Sequence, residues 1–331
     1  MSYSRDSREV LVLTALMLIA ALWTDPSWAQ TKIPHVGVLV VNPILSAEVQ
    51  QWFKPFRRTL SERGWIEGKN VAFEYRDGAG DPTRLAEPAA ELVQLKVDVL
   101  FAVGPPAVRA AYAATRDIPI VALDLETDPV ASGYAESYSH PRGNLTGLFL
   151  DAPKLAGKWL QLLKTIVPRL SRVVVLWDPT EGSVQLDAAR NAAPALGIRL
   201  QVLKIHTPEE ITKAPSAFDG RAQSMIVLSS PMMWYQSARL AQLAKKHRLP
   251  ATSMFVPFAD AGGLLAYGPE LAATVEQCAV LVAKVLGGAK PVDLPIEGPS
   301  KFEFVFNLKT AGDLHLAVPD TVVLTATRLI K

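Results

Sequence analysis

The chain has 331 residues, 49% of them apolar and 20% charged, so it buries a large core and is neither a disordered tail nor a low-complexity linker. Lys and Arg number 34 against 32 Asp and Glu, and a net charge of +2 supplies no field that would hold nucleic acid or an anionic membrane surface, so no nucleic-acid partner is expected. One cysteine, Cys278, excludes an internal disulfide, a thiolate zinc cage and a CxxC redox pair, and five histidines without HExxH or i,i+4 pairing give no metal site; no cofactor is expected.

In chain order, Arg5 and Arg8 precede an apolar run from Val10 to Leu22, then Asp25 and Pro26, then the small residues Ser27 and Ala29 two positions apart. This order of charged, apolar and small segments reads as a secretory signal peptide over residues 1–29, cleaved after Ala29. A run of thirteen residues falls short of the ~20 that a membrane-spanning helix needs. No cysteine stands at the cleavage point, so a lipoprotein anchor is not expected there. The expectation is a mature chain that is free of the membrane and located in the periplasm.

From Val36 onward, short apolar runs rich in β-branched residues alternate with segments of helical period. Strands are expected over 36–41, 71–75, 97–103 and 118–123, and a second set over 173–177, 200–205, 224–230 and 251–256. Continuous apolar strands separated by helices imply parallel sheets covered on both faces. Helices read over 48–63, 84–95, 185–196 and 234–247. Residues 102–124 parallel residues 227–256: each runs strand, proline-started helix, basic helix end, then Ile-Pro or Leu-Pro opening the next strand. Pro105 and Pro231 suit a first helical turn, where the missing N–H would be unpaired anyway.

Two such units in tandem predict an α/β protein of two doubly wound Rossmann-like lobes joined by a hinge, with a ligand cleft between them. Residues 30–147 with 268–298 form the expected first lobe, and 148–267 with 299–331 the second. Crossings are expected near 144–148, 263–268 and 298–302. Leu271, Val275, Cys278, Val282 and Val285 recur at helical spacing, which points Cys278 into the core, and Phe302, Phe304 and Phe306 alternate as in a late strand.

Four stretches, residues 64–93, 126–147, 262–271 and 284–319, together resemble the ABC transporter substrate-binding proteins, in the branch that includes tryptophan-binding members and has the type I periplasmic-binding fold. The likeness covers essentially the whole mature chain. It implies a receptor, monomeric and without catalytic activity, whose lobes close on a small molecule, with an amino acid among the candidates, and deliver it to a membrane permease. GxxxxGK[ST] is absent, so the ATPase of such a system would be a separate chain. Two other classes stay open. One is a secreted hydrolase on the same fold, although no GxSxG elbow and no GxGxxG turn is present. The other is a sugar-repressor-like sensor core, against which stand the export signal and the missing DNA-binding helices.

Ligands of open α/β sheets sit beyond the carboxyl ends of strands, which nominates the post-strand loops. In the first lobe these hold Asn42 and Ser46, then Gly104 and Pro105, then Asp124, Thr127 and Asp128. Gly104 admits close backbone approach, and the helix starting near Pro106 is expected to offer N–H groups to a carboxylate. Asp124 and Glu126 end a buried strand and need a partner, either a ligand ammonium or a neighbouring Arg. Asp128 reads as a helix cap or a ligand contact, and so does Thr180 in the second lobe. Ser230, Met232, Trp234 and Phe255 complete the second lobe's mouth, with large apolar side chains suited to an aromatic or apolar solute. Met232 and Trp234 are expected to form one apolar wall opposite Asn42, Gly104 and Asp124. Tyr267 either lines the cleft or belongs to the hinge.

Overall fold

Val, Ile and Leu fill the strands because a parallel strand under helices on both faces has no solvent side. In the computed structural model, which describes residues 33–150, 152–167, 169–218 and 220–331, the segment read as a signal peptide lies outside the described residues. Five parallel strands, β1 (His35–Val40), β2 (Ala72–Asp77), β3 (Val99–Val103), β4 (Ile120–Asp124) and β5 (Leu145–Phe149), form one sheet in the order β2-β1-β3-β4-β5. A second sheet holds β6 (Arg172–Trp177), β7 (Arg199–Lys204), β8 (Ser224–Val227), β9 (Ala251–Ser253), β10 (Leu265–Pro269), β11 (Phe302–Asn307) and β12 (Arg328–Ile330) in the order β12-β11-β10-β9-β8-β6-β7. Its pairs are parallel except β10 with β11, which is antiparallel.

Three strands, β5, β10 and β12, are not among the strands expected from the sequence. The segment read as a crossing near 263–268 is β10, an internal member of the second sheet, and there the chain crosses only after Pro269. The segment read as a crossing near 144–148 is β5, a full member of the first sheet; Thr146 and Gly147 interrupt the apolar run that would have marked it. Gly147, at φ +149°, lies so near β4 that an added Cβ would stand 2.1 Å from the carbonyl oxygen of Ala122. β12 is three residues long, too short to show a period. The strand read over 251–256 stops at Ser253, because Pro257 starts a helical turn there.

Helices α1 (Ala47–Glu62), α2 (Ala86–Gln94) and α3 (Pro105–Ala114) cover the first sheet, while α4 (Ala152–Ile166) and α5 (Val184–Ala192) pack together beside the second. The helix read over 234–247 is two helices, α6 (Pro231–Tyr235) and α7 (Ser237–Lys246), broken at Gln236. Helix α8 (Leu271–Leu286) starts directly after β10 yet packs against α1 and strands β3 to β5. Its Val275, Cys278 and Val282 are fully buried, and burial pushes the Cys278 thiol far up, so it is an inert core group. On α1, Phe53 and Phe56 are fully buried; Phe56 stacks on Phe53 and on Phe101 of β3, each at 4.6 Å between ring centres.

The chain passes between the sheets after Phe149, between Pro269 and Leu271, and between Glu297 and Phe302. Two passages are pinned side by side: Leu148 bridges Glu297, the Glu297 N–H donates to Gly147 O at 2.9 Å, and the Phe149 N–H donates to Glu297 O at 3.0 Å. Trp159 of α4, also buried, donates its indole N–H to Tyr267 O on β10 at 2.7 Å and so ties that helix to the second passage. Among the described residues no helix is long and apolar enough to cross a membrane.

Candidate functional site

The carboxyl ends of β1, β3 and β4 face those of β8 and β9 across a cleft open to solvent. Val40, Val41 and Asn42 enter it after β1, Val103 and Gly104 after β3, Leu123, Leu125 and Glu126 after β4. Val49 and Trp52 reach it from α1. The second sheet supplies Pro231 and Trp234 from α6 and Phe255 after β9, and Leu271 opens α8. The walls are apolar apart from Asn42 and Glu126.

The two lobes touch along one side of this cleft. Gly104 adopts φ +82° at the start of α3 and brings its backbone so near Pro231 that an added Cβ would sit 3.2 Å from the Pro231 ring. Ser229, after β8, donates its hydroxyl to Glu126 Oε1; the amide of Gln185 holds Ser229 from behind, donating to its carbonyl at 3.0 Å and accepting from its N–H at 2.9 Å. From α3, Arg109 donates to Thr180 O at 3.2 Å and stands 4.0 Å from Glu181 Oε2.

Behind Glu126 lies a set of buried carboxyl groups. Asp124, at 0% exposure, accepts from the N–H of Glu126 at 3.1 Å, the N–H of Thr127 at 2.9 Å and the hydroxyl of Thr127 at 2.5 Å. Its carboxyl therefore builds the loop that carries Leu125 and Glu126 into the cleft. Burial pushes its affinity for a proton up. Burial, aided by the Asp124 charge, pushes Glu126 up to about 8, while Glu126 Oε2 accepts from the Leu125 N–H at 3.1 Å. Glu181 is also raised to about 8 by burial, with Arg109 opposing and Asp178 reinforcing the shift, and its Oε2 has no hydrogen-bond partner. Among the described residues no group of three or more His, Cys, Asp or Glu could hold a metal ion.

Of the residues read from sequence, Asn42, Gly104, Trp234 and Phe255 meet at the cleft wall. The others stand around it. Ser46 caps α1, accepting from Val49 N–H at 3.3 Å, and Ser230 caps α6, accepting from Met233 N–H at 3.1 Å. Asp128 accepts from the N–H groups of Val130 and Ala131 in the following turn. Thr127 is held by Asp124, and Thr180 donates its hydroxyl to Asp178 at 2.6 Å. Pro105 is buried at the first turn of α3. Met232 packs into the second lobe's own core instead of sharing a wall with Trp234, because residues two apart on a helix point some 200° apart. Tyr267 stacks on Phe302 at 6.2 Å beside the second passage. Pro105 and Pro106 occupy the first two helical positions, so of the first-turn N–H groups expected to meet a carboxylate only that of Ala107 remains before Val108 bonds back to Gly104.

Trp52, Val49 and Arg109 did not emerge from the sequence, whereas Glu181 and Ser229 lie in post-strand loops, 178–183 and 229–234, that it nominates. Val49 and Trp52 sit three apart on an amphipathic helix, where they read as core positions, and the polar bridges join residues far apart in the chain.

The sequence profile of the family described as ABC transporter substrate binding protein matches residues 36–330. The chain belongs to this family. A curated relative named tyrosine-binding protein, from Clostridioides difficile strain R20291, is 25% identical over 293 residues, 86% of this chain and 82% of that one. Among solved structures, an ABC domain in complex with L-Trp from Streptococcus pneumonia aligns with a TM-score of 0.82 at 20% identity, covering 90% of this chain and 99% of that one. The ligand-free, open structure of a substrate binding protein with adhesive properties from Clostridium difficile aligns at 0.67, with 21% identity and coverage of 90% and 99%. These likenesses establish the two-lobed type I periplasmic-binding fold for this substrate-binding protein. They give the cleft its meaning: it lies where the two lobes of that fold meet.

Proposed function

We propose that this substrate-binding protein is the periplasmic receptor of an ABC importer. It captures a small apolar or aromatic solute, amino acids among the candidates, between its lobes and hands it to a membrane permease coupled to a separate ATPase. The observation that carries the reading is the cleft itself, with aromatic walls from both lobes, Trp52 on one and Trp234 and Phe255 on the other. A concave, mostly apolar site with a few polar groups is what a small-molecule receptor needs. A relative named for tyrosine and a structure holding L-Trp support an aromatic solute. The chain's arginine-led apolar N-terminal segment supports export. Closure on a hinge would stabilise the ligand-bound state that the permease recognises.

Trp234 tests the reading, because its ring lines the cleft and its buried indole N–H has no hydrogen-bond partner. Trp234→Ala should weaken ligand affinity by about 2 kcal/mol, or roughly thirtyfold, measured by titration calorimetry, with the melting temperature nearly unchanged. Unchanged affinity together with a lowered melting temperature would make the ring a packing group and remove the aromatic pocket from the proposal.

A further inference from the structure

The receptor reading leaves the ligand's charge open, and the cleft's electrostatics speak to it. Among the described residues that line it, Glu126 alone is ionisable; no Lys, Arg or His reaches the wall. The groups that face Glu126 from the surrounding elements are Asp124 on its own loop and Glu181 from the second lobe, with Asp178 beside Glu181. All four carboxyl groups are buried. The cation facing them is Arg109, itself 45% exposed and 4.0 Å from Glu181. The phenol of Tyr134, held at about 12 by burial, stays neutral beside Asp124 and Arg109. Several buried carboxyls face one cation, and a buried carboxylate without a partner is costly, so Glu126 and Glu181 keep their protons at neutral pH until a cation arrives to replace one.

Donors for an anion are few on the same walls: the Asn42 amide and the Trp234 indole N–H, with no cationic side chain among the described residues. Helix α3 opens with Pro105 and Pro106, and α6 with Pro231, so these first positions offer no N–H to a carboxylate, and at the start of α3 only the Ala107 N–H remains. The Met233 N–H of α6 is already taken by Ser230. What the walls do offer are the aromatic rings of Trp52 and Trp234, a ring type that attracts cations, and the unpartnered indole N–H of Trp234, which takes an acceptor on the ligand.

We propose that the ligand is a cationic amine on an aromatic or apolar body, without a carboxylate, whose ammonium pairs with Glu126. This rests on the receptor reading and narrows it. Before binding, Glu126 holds a proton at neutral pH, since burial raises it to about 8. An entering ammonium displaces that proton, so affinity rises with pH up to the region of 8 while the amine itself remains protonated.

The test is titration calorimetry of the exported protein with tryptamine, L-tryptophan and indole-3-propionate, which share one ring system and differ in charge, alongside phenethylamine and tyramine with their parent amino acids. The amines should bind at least about tenfold tighter than the amino acids, and the anion should give no binding heat. Amine affinity should rise more than about tenfold between pH 6 and 8, with release of about one proton read from buffers of different ionisation enthalpy. Glu126→Gln, close in shape and still able to accept from Ser229, should lose most of the amine affinity and the proton release together. An amino acid bound as tightly as its amine, a flat pH profile, intact amine binding in Glu126→Gln, or no binding by any amine would each overturn the proposal. The receptor reading would survive all of these if another solute co-purifies in the cleft.

Discussion

Replacing Gly147 by alanine is expected to destabilise the protein more than any other single methyl added to the first sheet. Gly147 sits in β5 at φ +149°, and the added Cβ would lie 2.1 Å from Ala122 O and 2.6 Å from Ala122 N on β4. Those are backbone atoms of a fully buried strand, so nothing flexible gives way, and the parallel β4–β5 pairing must move apart. The cost should be about 3 kcal/mol or more, the upper range of overpacking, made worse by a backbone conformation that L-residues rarely adopt. In a chain of this size that lowers the melting temperature by on the order of 10 °C. The same change touches the interlobe passages, because Gly147 O accepts the Glu297 N–H that pins one passage to another. Gly298→Ala is the control: its added Cβ would meet Phe149 O at 4.0 Å, an ordinary contact, and stability should shift by less than about 0.5 kcal/mol. Equal melting temperatures for the two variants, read by calorimetry, would remove the close β4–β5 approach from the description of the first lobe.

Phe56→Ala should cost about 3–5 kcal/mol, the range for a fully buried aromatic side chain. The ring lies between Phe53 of the same helix and Phe101 of β3, with Phe73 of β2 edge-on at 6.2 Å, so its loss opens a cavity walled by rigid strands that cannot collapse into it. The stacked pairs add their own contribution beyond area burial. Because α1 also carries Val49 and Trp52 into the cleft, the variant links core to site: affinity should fall as well as stability. Urea unfolding measures the first and calorimetry the second. A loss below about 1 kcal/mol would mean that α1 is held elsewhere than on this aromatic stack.

Much of the fold is legible in the sequence because buried parallel strands announce themselves. Runs such as Val36 to Val41 and Val173 to Trp177 have no polar interruption, and their helices keep a clean period. β5 escapes the same reading for a physical reason: the close approach that demands Gly147 also removes the side chain that would have marked a strand. The site divides similarly. Asn42, Gly104, Trp234 and Phe255 follow strands, and the ends of strands in this architecture face the cleft. Trp52 reaches it from a helix face that periodicity assigns to the core. The polar bridges Arg109 to Thr180 and Ser229 to Glu126 join residues 71 and 103 positions apart, and no local pattern encodes such pairs. Met232 shows the limit of reading a loop by composition: once Pro231 starts a helix there, geometry turns Met232 inward and leaves Trp234 at the wall.

The most direct test of the receptor reading is native mass spectrometry of the protein purified from the cell that makes it. The expected result is a single small-molecule adduct per chain, lost with its mass unchanged when the protein is denatured, and depleted in Trp234→Ala. A chain that carries no adduct from its own cell and takes up none from that cell's metabolite extract, or that returns an extract component chemically altered, would contradict a receptor that holds its solute between the two lobes.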